Sequence, residues 1–397
     1  MFAPTMRRLY LVGSGFVAVI GACLTASSAQ AASFAFNGLY VSDQGLDAIY
    51  LTQDFNQNGD ANDLGEINVF FDGTNASGLA NPTGNVFTLL QSRQDFLYYG
   101  DGDTDSVYRL LDTNNDGDAL DIGEANLWFS ADNANAFPLL TPNGLAEGSD
   151  GAIYIVEADT FGSPSGDFVY RTEDLNGDGD ANDAGESSIW LDLQALNPSS
   201  SPFEITFIGN VAYITDTAGG SPVIYRAEDV DGSGAIDAAE VTVLTDPFDF
   251  IFSFGLASNE NDVFALNFLT DEVLRIDEGP TTTLTPVWDS TFVPDGFTFG
   301  FGFSLAAGPN GELAVTSNDF PEGIFRLLDL NQDGDYFDEG ETVVYASNDL
   351  TEFFPDRPRA VAYRTPIAVP EPGLALGLLV TGALGFRRWR RRSDAIG

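Results

Sequence analysis

The stretch Phe168-Val-Tyr-Arg-Thr-Glu-Asp174-Leu-Asn-Gly-Asp-Gly-Asp-Ala-Asn-Asp-Ala-Gly-Glu186-Ser-Ser-Ile-Trp-Leu191 sets two apolar runs on either side of thirteen residues of acid, amide and glycine. The flanks, aromatic and β-branched, have strand composition, while the middle is too polar and too glycine-rich for a strand or a helix. The pattern recurs at Asp54–Glu66, Asp112–Glu124, Asp229–Glu240 and Asp329–Glu341. In every copy the last two acids are three residues apart, so the copies align without ambiguity.

Oxygen-bearing side chains occupy fixed places in these loops. The third copy presents Asp174, Asn176, Asp178, Asp180, Asp183 and Glu186, with Gly179 at the bend. The first presents Asp54, Asn56, Asn58, Asp60, Asp63 and Glu66, and the second Asp112, Asn114, Asp116, Asp118, Asp121 and Glu124. The last presents Asp329, Asn331, Asp333, Asp335, Asp338 and Glu341. The fourth is one residue shorter and offers Asp229, Asp231, Ser233, the Ala235 carbonyl, Asp237 and Glu240. A hard cation such as Ca²⁺ takes six to eight oxygens around one point, and a glycine lets the backbone bend sharply enough to supply them. Five loops therefore predict up to about five bound calcium ions, against the alternative of solvated acidic turns that bind nothing. The Asp229 copy has the twelve-residue register of an EF-hand loop, and the set resembles EF-hand or dockerin-type calcium loops. No flanking helices are evident, so the opening motion of a calcium sensor is not implied.

The loop starts at 54, 112, 174, 229 and 329 are spaced by 58, 62, 55 and 100 residues. The last interval is two periods, and Val273-Leu274-Arg275-Ile276-Asp277 fills the gap. It matches the lead-ins Val107-Tyr108-Arg109, Val169-Tyr170-Arg171, Ile224-Tyr225-Arg226 and Ile324-Phe325-Arg326, but is followed by a short turn without ligands. Each repeat reads as four short strands. Six such repeats predict an all-β, six-bladed β-propeller over residues 32–365, with the calcium-binding loops between third and fourth strands. An open stacked solenoid is the alternative. The first repeat starts at its second strand, Gly38-Leu39-Tyr40-Val41. The segment Arg359-Ala360-Val361-Ala362-Tyr363 is expected to supply the missing strand from the far end of the chain, hiding two sheet edges. The face opposite the loops is expected to carry longer, Phe-rich connections at 246–252 and 292–299, as inter-blade packing or as an aromatic platform. The Arg before each loop is expected to partner nearby carboxylates.

Composition narrows the chemistry. The chain has no histidine and no lysine, and Cys23 is its one cysteine. Ser-His-Asp and Cys-His catalysis, His-ligated zinc and Schiff-base chemistry are excluded. Sixty acids against sixteen arginines give a net charge of −44. All but Glu371 and Asp394 of the acids, but only nine of the arginines, lie in residues 32–365, for a body near −49. Nucleic acid is excluded as a partner, and divalent cations would relieve the self-repulsion. The 44% hydrophobic and 12% aromatic content argues for a folded body.

The ends address the chain. Arg7 and Arg8, the apolar run Leu9–Leu24 and Ala29-Gln30-Ala31 read as a signal peptide over residues 1–31. Ile20-Gly21-Ala22-Cys23 leaves lipidation of Cys23 as the competing reading. In residues 366–397, Pro370-Glu371-Pro372 precedes an apolar segment, Gly373 to Phe386, and then Arg387-Arg388-Trp389-Arg390-Arg391-Arg392. This tail resembles a PEP-CTERM sorting signal, a family found on exported proteins of Gram-negative bacteria that make exopolysaccharide. The resemblance implies transient anchoring in the inner membrane, processing by an exosortase, and delivery to the cell surface, matrix or exterior. The function expected is a structural or binding component of the cell surface or exopolysaccharide matrix. A carboxylate- or metal-dependent hydrolase or lyase on an extracellular saccharide, lactone or phosphate ester is the alternative, with no catalytic residue assigned. A propeller that docks an envelope protein is a third reading.

Overall fold

The computed structural model describes residues 38–82, 85–158, 166–217, 222–245, 253–318, 322–350 and 356–364. The expected leader at 1–31 and sorting tail at 366–397 lie outside them, as does the Phe-rich segment 246–252. Twenty-four strands form six four-stranded antiparallel sheets. Blade 1 holds β1 (Leu39–Asp43), β2 (Ala48–Thr52) and β3 (Ile67–Phe71), and blade 2 holds β4 (Thr88–Gln91), β5 (Leu97–Asp101), β6 (Ser106–Leu110) and β7 (Ala125–Ser130). Blade 3 is β8 (Pro142–Glu147), β9 (Ile153–Glu157), β10 (Phe168–Thr172) and β11 (Ser187–Asp192). Blade 4 is β12 (Pro202–Ile208), β13 (Val211–Asp216), β14 (Val223–Ala227) and β15 (Val241–Val243). Blade 5 is β16 (Ser253–Ser258), β17 (Val263–Asn267), β18 (Glu272–Asp277) and β19 (Thr283–Asp289). Blade 6 is β20 (Leu305–Ala307), β21 (Leu313–Ser317), β22 (Gly323–Leu327) and β23 (Thr342–Ser347). The last strand, β24 (Pro358–Tyr363), returns to blade 1, whose order is β24-β1-β2-β3. The protein is a closed six-bladed β-propeller, not an open solenoid. One short helix, α1 (Leu193–Leu196), follows β11 and is capped by Asp192, which accepts from Ala195 N–H. It is too short to leave a periodic signature.

Each blade buries both faces, so the core lies between blades. Six apolar clusters correspond to six seams between consecutive blades. At the seam of blades 1 and 2, for example, Phe70 and Phe71 pack with Tyr99 and Tyr108. The seam of blades 4 and 5 has the smallest buried set, Tyr213, Ile224, Leu256, Val263, Ala265, Leu274 and Ile276.

Closure joins residues more than three hundred positions apart. Leu39 pairs with Tyr363, Tyr40 with Ala362 and Val41 with Val361; after a register shift, Asp43 pairs with Pro358. The shift is held by side chains: Ala360 N–H donates to Ser42 Oγ (2.9 Å) and Asp356 N–H to Asp43 Oδ2 (3.0 Å). A ring closed this way covers the edge of β1 with β24, which becomes the axial strand of the blade.

Asp43 is buried, and that burial drives its carboxyl from an ordinary 3.8 up to about 6, despite N–H donors from Gly45 and Asp356. The folded protein therefore binds this proton more tightly than the unfolded chain does. The group's stabilising contribution is complete below about pH 4 and is lost as pH rises through about 6. Replacing Asp43 with Asn should remove that fall. The difference in unfolding free energy between variant and parent should move in the variant's favour by roughly 2 kcal/mol from pH 4 to pH 6.5. Parallel stability curves over that range would show that the closing carboxyl does not titrate as described.

Candidate functional site

All five acidic loops join the third strand of a blade to the fourth, and they share one hydrogen-bonding frame. The first Asp accepts the N–H of the central glycine: Gly59 to Asp54 (2.8 Å), Gly117 to Asp112 (3.0 Å), Gly179 to Asp174 (3.0 Å), Gly234 to Asp229 (2.9 Å) and Gly334 to Asp329 (3.1 Å). That glycine sits at positive φ, between 84° and 107°, where a Cβ would strain the bend. The final Glu reaches back across the loop. Glu186 Oε1 accepts from Leu175 and Asn176 N–H (3.0 and 3.2 Å), and its Oε2 accepts from Asp183 N–H (3.3 Å). Glu66, Glu124 and Glu240 make the same three bonds, while Glu341 accepts from Leu330 and Asp338. Backbone donors thus hold the carboxylates inward before any cation is considered.

The oxygens converge to different degrees. Three carboxylates present atoms within 4.8 Å of one another in four loops: Asp60, Asp63 and Glu66; Asp116, Asp118 and Glu124; Asp178, Asp180 and Glu186; Asp229, Asp231 and Glu240. Among the described residues, the Asp329–Glu341 loop gathers no such trio, although Asp329, Asn331, Asp333, Asp335 and Asp338 follow the same frame. In the longer loops the third-position amide donates to the late Asp: Asn56 to Asp63 (2.5 Å), Asn114 to Asp121 (2.8 Å), Asn176 to Asp183 (2.8 Å), and Asn331 to Asp338. Asn58 also donates to Asp63 (3.0 Å). These amide hydrogens lie where the ligand set of the first, second, third and fifth loops would face a cation. The oxygen of each third-position amide already accepts the N–H two residues on (Asn56 from Asn58, 2.9 Å; Asn114 from Asp116, Asn176 from Asp178 and Asn331 from Asp333, 2.8 Å each), so a cation there would share that oxygen or displace the bond. In the short loop, Asp237 caps a 3₁₀ turn by accepting from Ala239, and Ser233 Oγ donates to the Ala235 carbonyl, so these two stand outside the carboxylate trio. The donor set, all oxygen and largely anionic, suits a hard divalent cation.

A further feature was not anticipated from the sequence. The eighth residue of every loop docks on the preceding blade, its N–H donating to a carbonyl of that blade's fourth strand. Ala61 reaches Tyr345 (2.7 Å), Ala119 reaches Phe70 (2.8 Å), Ala181 reaches Trp128 (2.8 Å), Ile236 reaches Trp190 (2.6 Å) and Tyr336 reaches Val287 (2.8 Å). All five residues are buried and belong to the seam clusters. Each loop is therefore a latch between two blades, the first one spanning the closure itself. The usable signal was the apolar residue recurring two places after each central glycine. Blade 5 has no acidic loop, so the seam of blades 4 and 5 lacks a latch. There Glu278 takes its place, accepting from Tyr213 Oη and pairing with Arg226 (3.4 Å).

The lead-in arginines partner carboxylates as expected. Arg171 pairs with Asp150 and Glu173, Arg226 with Glu228, Arg275 with Asp277 and Arg326 with Glu312. Arg109 reaches Asp174 in the next blade's loop at 3.9 Å while lying over Phe96 and Trp128, and Arg275 donates to the Gly334 carbonyl (3.1 Å) in the loop of blade 6.

The propeller axis holds a well of about 710 Å³ lined by first-strand residues such as Leu89, Leu145, Ile205, Leu256, Leu305 and Val361. It extends to the turns after those strands, including Arg93, Glu147, Gly209 and Glu260, on the acidic-loop face. Glu204 lines it, buried, and burial holds its carboxyl well above the usual range despite N–H donors from Ile205 and Leu145. Of the two readings of the Phe-rich connections, the described segment 292–299 follows inter-blade packing: Phe299 is buried against Trp288 and Phe325. Phe297 packs on the same core, and Phe292 packs on Phe337.

No family model and no curated protein matches this sequence. Among solved structures, a chain of a nidogen/laminin complex is similar at 13% identity and a TM-score of 0.53, covering 82% of this chain and 98% of that one. TolB from Acinetobacter baumannii is similar at 12% identity and a TM-score of 0.50, covering 84% of this chain and 67% of that one. At such identities these likenesses establish the propeller fold.

The two kinds of loop residue separate in mutation. Glu186→Ala strips an acceptor from three N–H groups and should lower stability by about 2 kcal/mol even in chelator. Asp178→Asn should leave the chelated protein's melting unchanged and reduce only what calcium adds. Equal effects of both substitutions in chelator would refute this division. In chelator, amide exchange should also begin in β15 and β16 at the seam without a latch; first exchange at another seam would contradict the latch assignment.

Proposed function

We propose that the protein is an exported calcium-binding β-propeller that serves as a structural or binding component of the cell surface or exopolysaccharide matrix. The observation carrying this reading is that five loops with one oxygen-rich frame each bridge two blades. A cation held there ties together the loop that also docks the seam, so filling the loops stiffens the ring as a whole. Binding to the folded state alone stabilises it by mass action, and loops of this type in extracellular modules bind at roughly 10⁻⁴–10⁻³ M, near the calcium levels of an external medium. The absence of cysteine downstream of residue 23 fits the same logic, because ions can replace the cross-links a disulfide would give. The leader and the sorting-signal resemblance support the location, and an exosortase is the processing partner they imply.

Calcium titration of the isolated protein by calorimetry, with melting in calcium and in chelator, tests this directly. Four to five bound ions and a melting temperature raised by roughly 10 °C or more are expected. An equally stable protein in chelator, with no ions bound, would reduce the loops to solvated turns.

A further inference from the structure

The six first strands place equivalent residues at one end of the axial well. Two positions before Leu89, Leu145, Ile205, Leu256, Leu305 and Val361 stand Phe87, Asn143, Phe203, Phe254, Phe303 and Arg359. Antiparallel order puts this end on the face opposite the acidic loops. Asn143 turns away, donating to the Pro202 carbonyl (3.0 Å). The other five meet across the axis. Phe87 and Phe203 lie 6.0 Å apart between ring centroids, Phe203 and Phe254 4.4 Å, and Phe254 and Phe303 5.4 Å. The Arg359 guanidinium closes the circle, 4.0 Å from the Phe303 ring and 5.3 Å from that of Phe87. All four rings are only half-buried, and Phe301 extends the patch with 55% exposure.

Arg359, like its neighbours Arg357 and Arg364, differs from the other six described arginines. Arg93, Arg109, Arg171, Arg226, Arg275 and Arg326 all pair with carboxylates. In a chain this acidic, Arg359 makes no ion pair with a described carboxylate; its Nε donates to the Gln44 amide oxygen (2.8 Å). Burial and then the nearby Arg357 hold its pKa below the ordinary arginine value. The guanidinium is thus oriented by two rings and an amide, beside a second cation, with its terminal N–H groups uncommitted to any described acid. A planar fork of this kind binds a carboxylate in two-point fashion, and partly exposed aromatic faces take the apolar face of a sugar ring.

We infer that this end of the axis is a binding site for an acidic saccharide, in which Arg359 takes the carboxylate of a uronate and the aromatic patch, through its exposed ring Phe301, takes the pyranose face. The site deepens the matrix-binding reading and rests on it for context, but its geometry does not involve the calcium loops.

The test is calorimetric titration of the intact protein, calcium-saturated, with a uronate hexasaccharide and with its methyl ester. The acid should bind at least tenfold more tightly than the ester, as expected for loss of a charge-assisted pair. Arg359→Gln and Arg359→Lys should each weaken binding of the acid by tenfold or more, Lys because it lacks the fork. Phe301→Ala, which leaves the rings that orient Arg359 in place, should weaken acid and ester alike. Acetate at millimolar concentration should compete poorly, because it lacks the ring. Equal binding of acid and ester by the parent protein overturns the proposal, and that comparison holds even where a variant does not fold. Unchanged binding by a folded Arg359→Gln also overturns it. Absence of saccharide binding alongside normal calcium stabilisation would remove this site and leave the calcium scaffold standing; loss of both would remove the reading beneath it.

Discussion

The hydrogen bond from the eighth loop residue to the outer strand of the neighbouring blade governs this structure. A propeller blade satisfies most of its own backbone within its sheet, so neighbouring blades otherwise meet through apolar contact and side-chain bonds such as those of Trp128 with Thr172 and Trp288 with Thr342. The bonds from Ala61, Ala119, Ala181, Ile236 and Tyr336 add a directional restraint at five seams, and each restraint is borne by a loop whose shape depends on its acids. A glutamate such as Glu66 or Glu186 is buried while accepting three backbone N–H groups, which compensates its desolvation and fixes the path of the chain. The loop is thereby shaped by its own backbone, and a cation entering it finds much of the ordering cost already met.

Blade 5 shows what the fold requires where that device is missing. Its short turn after β18 carries no ligand loop, and its seam with blade 4 has the fewest buried apolar residues. Glu278 at that turn is instead engaged by Tyr213 and Arg226 of blade 4. A partly exposed ion pair and one phenolic hydrogen bond are weaker and more salt-sensitive than a docked loop with a buried apolar residue. The ring is therefore mechanically uneven. The first and last described strands meet in blade 1, where β24 and the first loop both act, so the uneven place lies away from the closure.

The fold was legible because its determinants are local and repeated. Strand-like runs, glycine bends and a final acid pair recur at nearly constant spacing, and the headless first repeat announced the return of Arg359–Tyr363. The loops' oxygen pattern was legible for the same reason. What escaped were features made by superposing blades. Alanine at position eight of three loops carries no chemical signal until the neighbouring carbonyl is known. The axial circle of Phe87, Phe203, Phe254 and Phe303 is scattered over more than two hundred residues and aligns only when first strands are stacked. The conspicuous segment at 292–299 packs between blades, one of its two expected roles, because Phe299 has Trp288 and Phe325 as immediate neighbours. Local clustering of aromatics in sequence says little about whether they meet.

Charge connects the two faces. With sixty acids against sixteen arginines, like charges raise the free energy of any compact form, and the acids concentrated in the latch loops are the part a divalent cation can offset. Arg171, Arg226 and Arg275 are spent locally against one or two carboxylates, at partly exposed sites where such pairs contribute little to stability. Arg359 is exempt from this use. Holding a guanidinium between Phe87 and Phe303, away from so many available acids, keeps its hydrogen-bonding edge from being neutralised internally. The same acidic body repels a polyanion at long range, so an acidic ligand gains affinity there only through short-range contact with the fork and the rings. Ions in the loops, by lowering the body's negative charge, would ease that approach. If ions fill the loops and an acidic ligand binds at the axis, as proposed, the two faces would be coupled through the field of the whole protein.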